Sequence, residues 1–76
     1  MSEKRADSAV ISLMVNEQPL ELPAEATVDQ LLEVLGLQRR GLAVEVNGTI
    51  VPHRELSSHR LKSADRVEVV ALVGGG

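Results

Sequence analysis

Seventy-six residues with no cysteine, no aromatic side chain and a formal net charge of -3 exclude several kinds of protein at once. The length suits one domain. The missing thiol removes disulfides, thiolate metal sites and cysteine nucleophiles, and the missing rings and negative charge argue against binding nucleic acid. The apolar fraction of 43% is that of a globular protein, so the core must be assembled from Val, Leu, Ile, Met and Ala. A domain of this size buries only a modest share of its surface. No apolar run is long enough for a membrane span. The start, Met1 to Ser8, mixes both charge signs and lacks the apolar segment of a secretory signal. The expectation is a cytoplasmic protein, monomeric when free, with no membrane or nucleic-acid partner.

Residues 1–9 have no periodicity and read as a disordered leader. Val10 to Val15 predict a first strand. Asn16-Glu17-Gln18-Pro19 predicts a turn, and Leu20-Glu21-Leu22 a short strand pairing back, ended by Pro23. Thr27-Val28-Asp29-Gln30 matches a capping box, with Thr27 as N-cap and Gln30 reaching back. Val28, Leu31, Leu32 and Leu35 then recur at helical spacing on one stripe. Gly36 suits the position after the helix, and Leu37 can fold back onto the last turn. These signals predict a helix near residues 28–36.

Leu42 to Val46 predict a third strand. Asn47-Gly48 is a strong two-residue hairpin signal, with Thr49-Ile50-Val51 returning until Pro52. His53 to Lys62 are weakly patterned and predict a short helical turn. Arg66 to Leu72 form the last strand, with Val67, Val69 and Ala71 on one face and Glu68, Val70 and Leu72 on the other. The order β-β-α-β-β-β predicts an α+β domain over residues 10–72, a mixed sheet of about four to five strands with one helix across it.

The sequence ends on Val73-Gly74-Gly75-Gly76. Glycines have no side chain to pack and admit backbone angles closed to other residues. Residues 73–76 are therefore expected to form a flexible arm, with Gly74 and Gly75 leading to the α-carboxylate of Gly76. Three extended residues reach ~10 Å, enough to enter a partner's active site while the globule stays outside. Val70 and Leu72 are expected on the open sheet face, with Met14 and Ala43 beside them. Such an apolar patch next to the arm suits protein docking.

Other chemistry is poorly supported. Ser57, Ser58, His59 and Asp65 supply the residue types of a triad, but no pattern gathers them. His53 and His59 lie without a third ligand, so neither a catalytic nor a metal site is expected. Arg39 and Arg40 follow the helix, where positive charge is favourable. Asn47-Gly48-Thr49 fits a glycosylation sequon, but reads first as a hairpin turn.

The pattern resembles the ubiquitin-like β-grasp fold and, within it, the ThiS family of sulfur carriers in thiamine biosynthesis. The resemblance covers roughly residues 10–76. It rests on Thr27-Val28-Asp29-Gln30-Leu31-Leu32, on Val44 through Arg54, on Leu61 through Val69, and on the terminal glycines. Two departures stand out: Leu56 lies where relatives often carry an aromatic, and Ala64-Asp65 lies where they usually carry Gly-Asp. MoaD-like small subunits of molybdopterin synthase tend to have prolines and a serine before the glycines, where this chain has Ala71-Leu72-Val73, so ThiS is favoured.

The resemblance implies a protein co-substrate and not an enzyme. A ThiF-like, E1-like adenylyltransferase would use ATP and Mg to adenylate the Gly76 carboxylate. A sulfur-donor persulfide protein would convert it to a thiocarboxylate, and a ThiG-like thiazole synthase would take the sulfur for the thiazole ring of thiamine. The carrier itself would bind no cofactor. A MoaD-like carrier and a ubiquitin-like protein modifier are the alternatives.

Overall fold

The computed structural model describes residues 10–72. The expected leader and the Val73–Gly76 arm lie outside these residues. The strands are β1 (Val10–Val15), β2 (Gln18–Pro23), β3 (Leu42–Val46), β4 (Thr49–Ile50) and β5 (Arg66–Ala71), with helix α1 (Val28–Val34) and a 3-10 turn at His53–Glu55. They form one mixed sheet in the order β2-β1-β5-β3-β4. Among the described residues only the central β1–β5 pair is parallel.

The first hairpin is tighter than the sequence suggests. Only Asn16 and Glu17 form the turn, both with positive φ (49° and 68°), which is the type I′ geometry favoured by strand twist. β2 therefore begins at Gln18 and contains both Pro19 and Pro23. The hydrogen bonds explain how. The Met14 and Asn16 N–H groups donate to Asp65 and Val67 of the neighbouring segment, at 3.0 and 2.8 Å. Even-numbered β1 residues thus turn their backbone polar groups towards β5. Pro19 lies opposite Met14 and Pro23 opposite Val10, so the nitrogens of both prolines point off the sheet edge, where no donor is needed.

The α1 start is fully provided for. The Gln30 N–H donates to Thr27 Oγ1 at 3.3 Å and the Thr27 N–H donates to Gln30 Oε1 at 2.8 Å, completing the capping box. The Val28 and Asp29 N–H groups donate to the His59 and Leu56 carbonyls at 3.0 and 2.9 Å, so the loop after β4 closes the remaining helix donors. At the other end the Gly36 N–H donates to Glu33 and the Leu37 N–H to Leu32, with Gly36 at φ +73°. This is a Schellman ending.

Val28, Leu31 and Leu32 join Leu13, Val15, Leu22, Val44, Val46 and Val67 of the sheet in one core, completed by Ala26, Val51, Leu56 and Leu61. Leu35, expected on the buried stripe, is 37% exposed. α1 has already ended there, and the chain turns away at Gly36 before Leu35 can be covered. Leu56 is almost fully buried, so an aliphatic side chain fills a place where an aromatic was the family expectation.

Candidate functional site: the outer sheet face

The face of the sheet away from α1 is fixed by register. Val70 lies opposite Ala43, Glu68 opposite Glu45, and Glu45 in turn opposite Ile50. The Leu72 N–H donates to the Gly41 carbonyl at 2.7 Å, so the ladder between β5 and the β3 side continues one residue past the strand. Val70 and Leu72 are about half exposed and Ala43 is half-buried, as a solvent-facing patch requires. Met14 shares this face at 36% exposure, but it lies opposite Arg66. Val70 lies four residues further along β5, about 13 Å at ~3.3 Å per residue.

The structure thus brings Val70, Leu72 and Ala43 together and sets Met14 apart, with charged side chains between. Ile50, at 60% exposure, completes the apolar rim and went unread in the sequence. A signal for it existed: a two-residue Asn47-Gly48 turn places Val46 opposite Thr49, and hence Glu45 opposite Ile50. Both turn residues do have positive φ. The directly opposed Glu45 and Glu68 went unread too. Like charges facing across two strands are mildly destabilising, and they make the middle of this face acidic.

The inward side of β5 opens along its length. Val67 is buried, Val69 half-buried and Ala71 exposed. The last strand therefore leaves the core before it reaches Leu72, on its way to the glycine residues.

Elsewhere polar side chains hold loops. Asp65, 8% exposed, accepts from Asn47 Nδ2 at 2.9 Å and from the Lys62 N–H at 2.8 Å, while Asn47 Oδ1 accepts from the Arg66 N–H. His53 Nε2 lies 2.8 Å from the Leu42 carbonyl. Arg39 spans the gap from the loop after α1 to Asp29 in its first turn, at 3.0 Å, rather than sitting on the helix C-terminus. Of the residue types a triad would need, the Asp65 carboxylate is taken up by an amide and a backbone donor. Among the described residues no three His, Asp or Glu side chains gather into a metal site.

A mixed five-stranded sheet clasping one helix, its last strand running out beside an open apolar face towards terminal glycines, defines a ubiquitin-like β-grasp protein. Comparison with known proteins narrows this. The sequence profile of the ThiS family matches residues 8–76, and the chain belongs to that family. It is 29% identical over 66 residues to the sulfur carrier protein ThiS of Escherichia coli K12, covering 87% of this chain and 100% of that one. It is 36% identical over 66 residues to a thiazole synthase of Paramagnetospirillum magneticum, of which the match occupies 20%. The crystal structure of the thiamine biosynthesis protein ThiS from Geobacter metallireducens superposes with a TM-score of 0.76 at 29% identity, covering 87% of this chain and all of that one.

Proposed function

We infer that the protein is a sulfur carrier of thiamine biosynthesis and that its reacting group is the Gly76 carboxylate. The observation that carries this is the family match running through residue 76, glycines included. A carboxylate is ionised at neutral pH and cannot lose oxide to a sulfur nucleophile. An E1-like adenylyltransferase supplies the activation: a carboxylate oxygen attacks the α-phosphorus of ATP, and pyrophosphate leaves. The terminal sulfur of a persulfide then attacks the acyl carbon and expels AMP. A thiol cleaves the resulting S–S bond, leaving the carrier with a thiocarboxylate and the donor in a disulfide.

A thiazole synthase receives that sulfur. The similarity to a segment of the P. magneticum thiazole synthase supports this partner. In this reading the globule provides a docking surface, formed by Val70, Leu72, Ala43 and Ile50 with Met14 at its far margin. The arm Gly74-Gly75-Gly76 passes into each partner's active site.

A chain lacking Gly75 and Gly76 tests the reading. Mixed with the adenylyltransferase of its own organism and ATP, it is expected to release no pyrophosphate, where the full chain does. Release at the full-chain rate would contradict the assignment. Leu72→Asp tests the docking face: affinity for both partners should fall about tenfold or more, with the circular dichroism spectrum unchanged. Undiminished binding would remove Leu72 from the interface.

A further inference from the structure

The two long edges of this sheet are treated differently. Along β2 the outward-pointing nitrogens at positions 19 and 23 are prolines, and the residue between them is Glu21. Proline and charge are the usual means of keeping a foreign strand off a sheet edge. β5 also has an edge, which it gains where β1 stops. β1 pairs with β5 only at Met14–Arg66 and Val15–Val67. Asn16 adds one residue more, accepting the Val69 N–H on Oδ1 at 2.9 Å. Beyond that point β1 turns away into the hairpin.

Alternation settles which groups are left. On the β3 side the Leu72 N–H donates to Gly41, and the Asn47 N–H donates to the Arg66 carbonyl, so even-numbered β5 residues serve β3. The Asp65 and Val67 carbonyls serve β1, so odd-numbered residues face the other way. The Ala71 N–H therefore points out past Asn16, and among the described residues it has no hydrogen-bond partner. No proline or charge guards it.

A second feature meets this edge at the same residue. Asn16 also lines a cavity of about 310 Å³, whose apolar walls are Val15, Pro19, Leu20, Leu35 and Leu37, with Gln18 beside them. The cavity exists because α1 ends early and leaves Leu35 and Leu37 partly uncovered. Successive side chains of a strand point to opposite faces. A strand laid along 69–71 in the track that β1 vacates can thus bond to the Ala71 N–H and send an apolar side chain into this cavity. Backbone pairing with pockets for alternate side chains is how strand addition recognises peptides.

We propose that the open edge of β5 at Val69–Ala71 receives an extended segment of the thiazole synthase, with one aliphatic side chain of that segment seated in the Leu20–Leu35–Leu37 cavity. This rests on the carrier reading above and deepens it. The edge leads directly through Leu72 to the four residues that follow, and the synthase is the partner favoured here because a thiazole synthase itself contains a segment 36% identical to this chain. The added strand aligns the arm before its glycines enter, and it offsets the entropy of ordering them.

Ala71→Pro is the test, because it removes the outward N–H and deletes none of the donors that the even-numbered residues give to β3. Titration calorimetry against the thiazole synthase of the same organism is expected to show Ala71→Pro binding about tenfold or more weakly than wild type. Leu37→Glu should weaken binding likewise, and Ala71→Ser should not. On complex formation, hydrogen exchange at the Ala71 amide should slow, a readout in the wild-type chain that does not depend on the variant's folding. Wild-type affinity in Ala71→Pro, or unchanged exchange at Ala71 in the complex, overturns the strand addition and leaves the carrier function standing. Failure of the wild-type chain to bind the synthase overturns both.

Discussion

Ala64 holds a backbone angle that suits glycine. Its φ is +74°, in the left-handed region where a Cβ crowds the following carbonyl. The strain has a local reason: the turn must send the Asp65 carboxylate inward to Asn47 and the Lys62 N–H. Ala64 stands where the resemblance leads one to expect glycine, and its positive φ gives a physical reason for that expectation. Ala64→Gly is expected to stabilise the protein by about 1 kcal/mol, read as a higher midpoint in urea. Glu17, at φ +68° in the first hairpin, should respond to Glu17→Gly in the same sense. Asp65→Ala should cost about 1–3 kcal/mol, since it strands buried partners. An unchanged midpoint there would mean that water replaces the carboxylate.

At the scale of elements, capping chemistry was the most legible part of the sequence. Thr27 and Gln30 form the box that their spacing predicts, and Gly36 and Leu37 form the predicted ending. Thr27→Ala should lose about 1 kcal/mol, measurable by thermal unfolding. Two readings went less far, for definite reasons. The sequence predicts a shorter β2 because proline reads as a strand breaker, while its position on an edge is known only once β1 is seen to face β5. Spacing alone predicts Leu35 in the core, because periodicity does not announce where a helix ends. The outer face was legible by alternation for Val70, Leu72, Ala43 and Met14. Its division into an apolar end and a charged middle was not, because it depends on which residues lie opposite one another across β3, β4 and β5. The open edge at Ala71 was hidden for the same reason, since it arises from how far two strands distant in sequence overlap.

For the whole molecule, the fold separates stability from function. One aliphatic core shared by α1 and the sheet keeps the domain folded. Leu31→Ala, at its centre, is expected to cost about 2–5 kcal/mol, a large part of the stability of any domain this small. The outer face, with Val70 and Leu72, lies apart from that core, so it is free to meet partners. The central claim is that the chain leaves its activating partner carrying sulfur on its last residue. Intact mass spectrometry after incubation with the adenylyltransferase, ATP and a persulfide donor tests it most directly. The expected result is a gain equal to the mass difference between sulfur and oxygen, located by fragmentation at Gly76. An unchanged mass, or conjugation to another protein through an amide bond, would contradict the account.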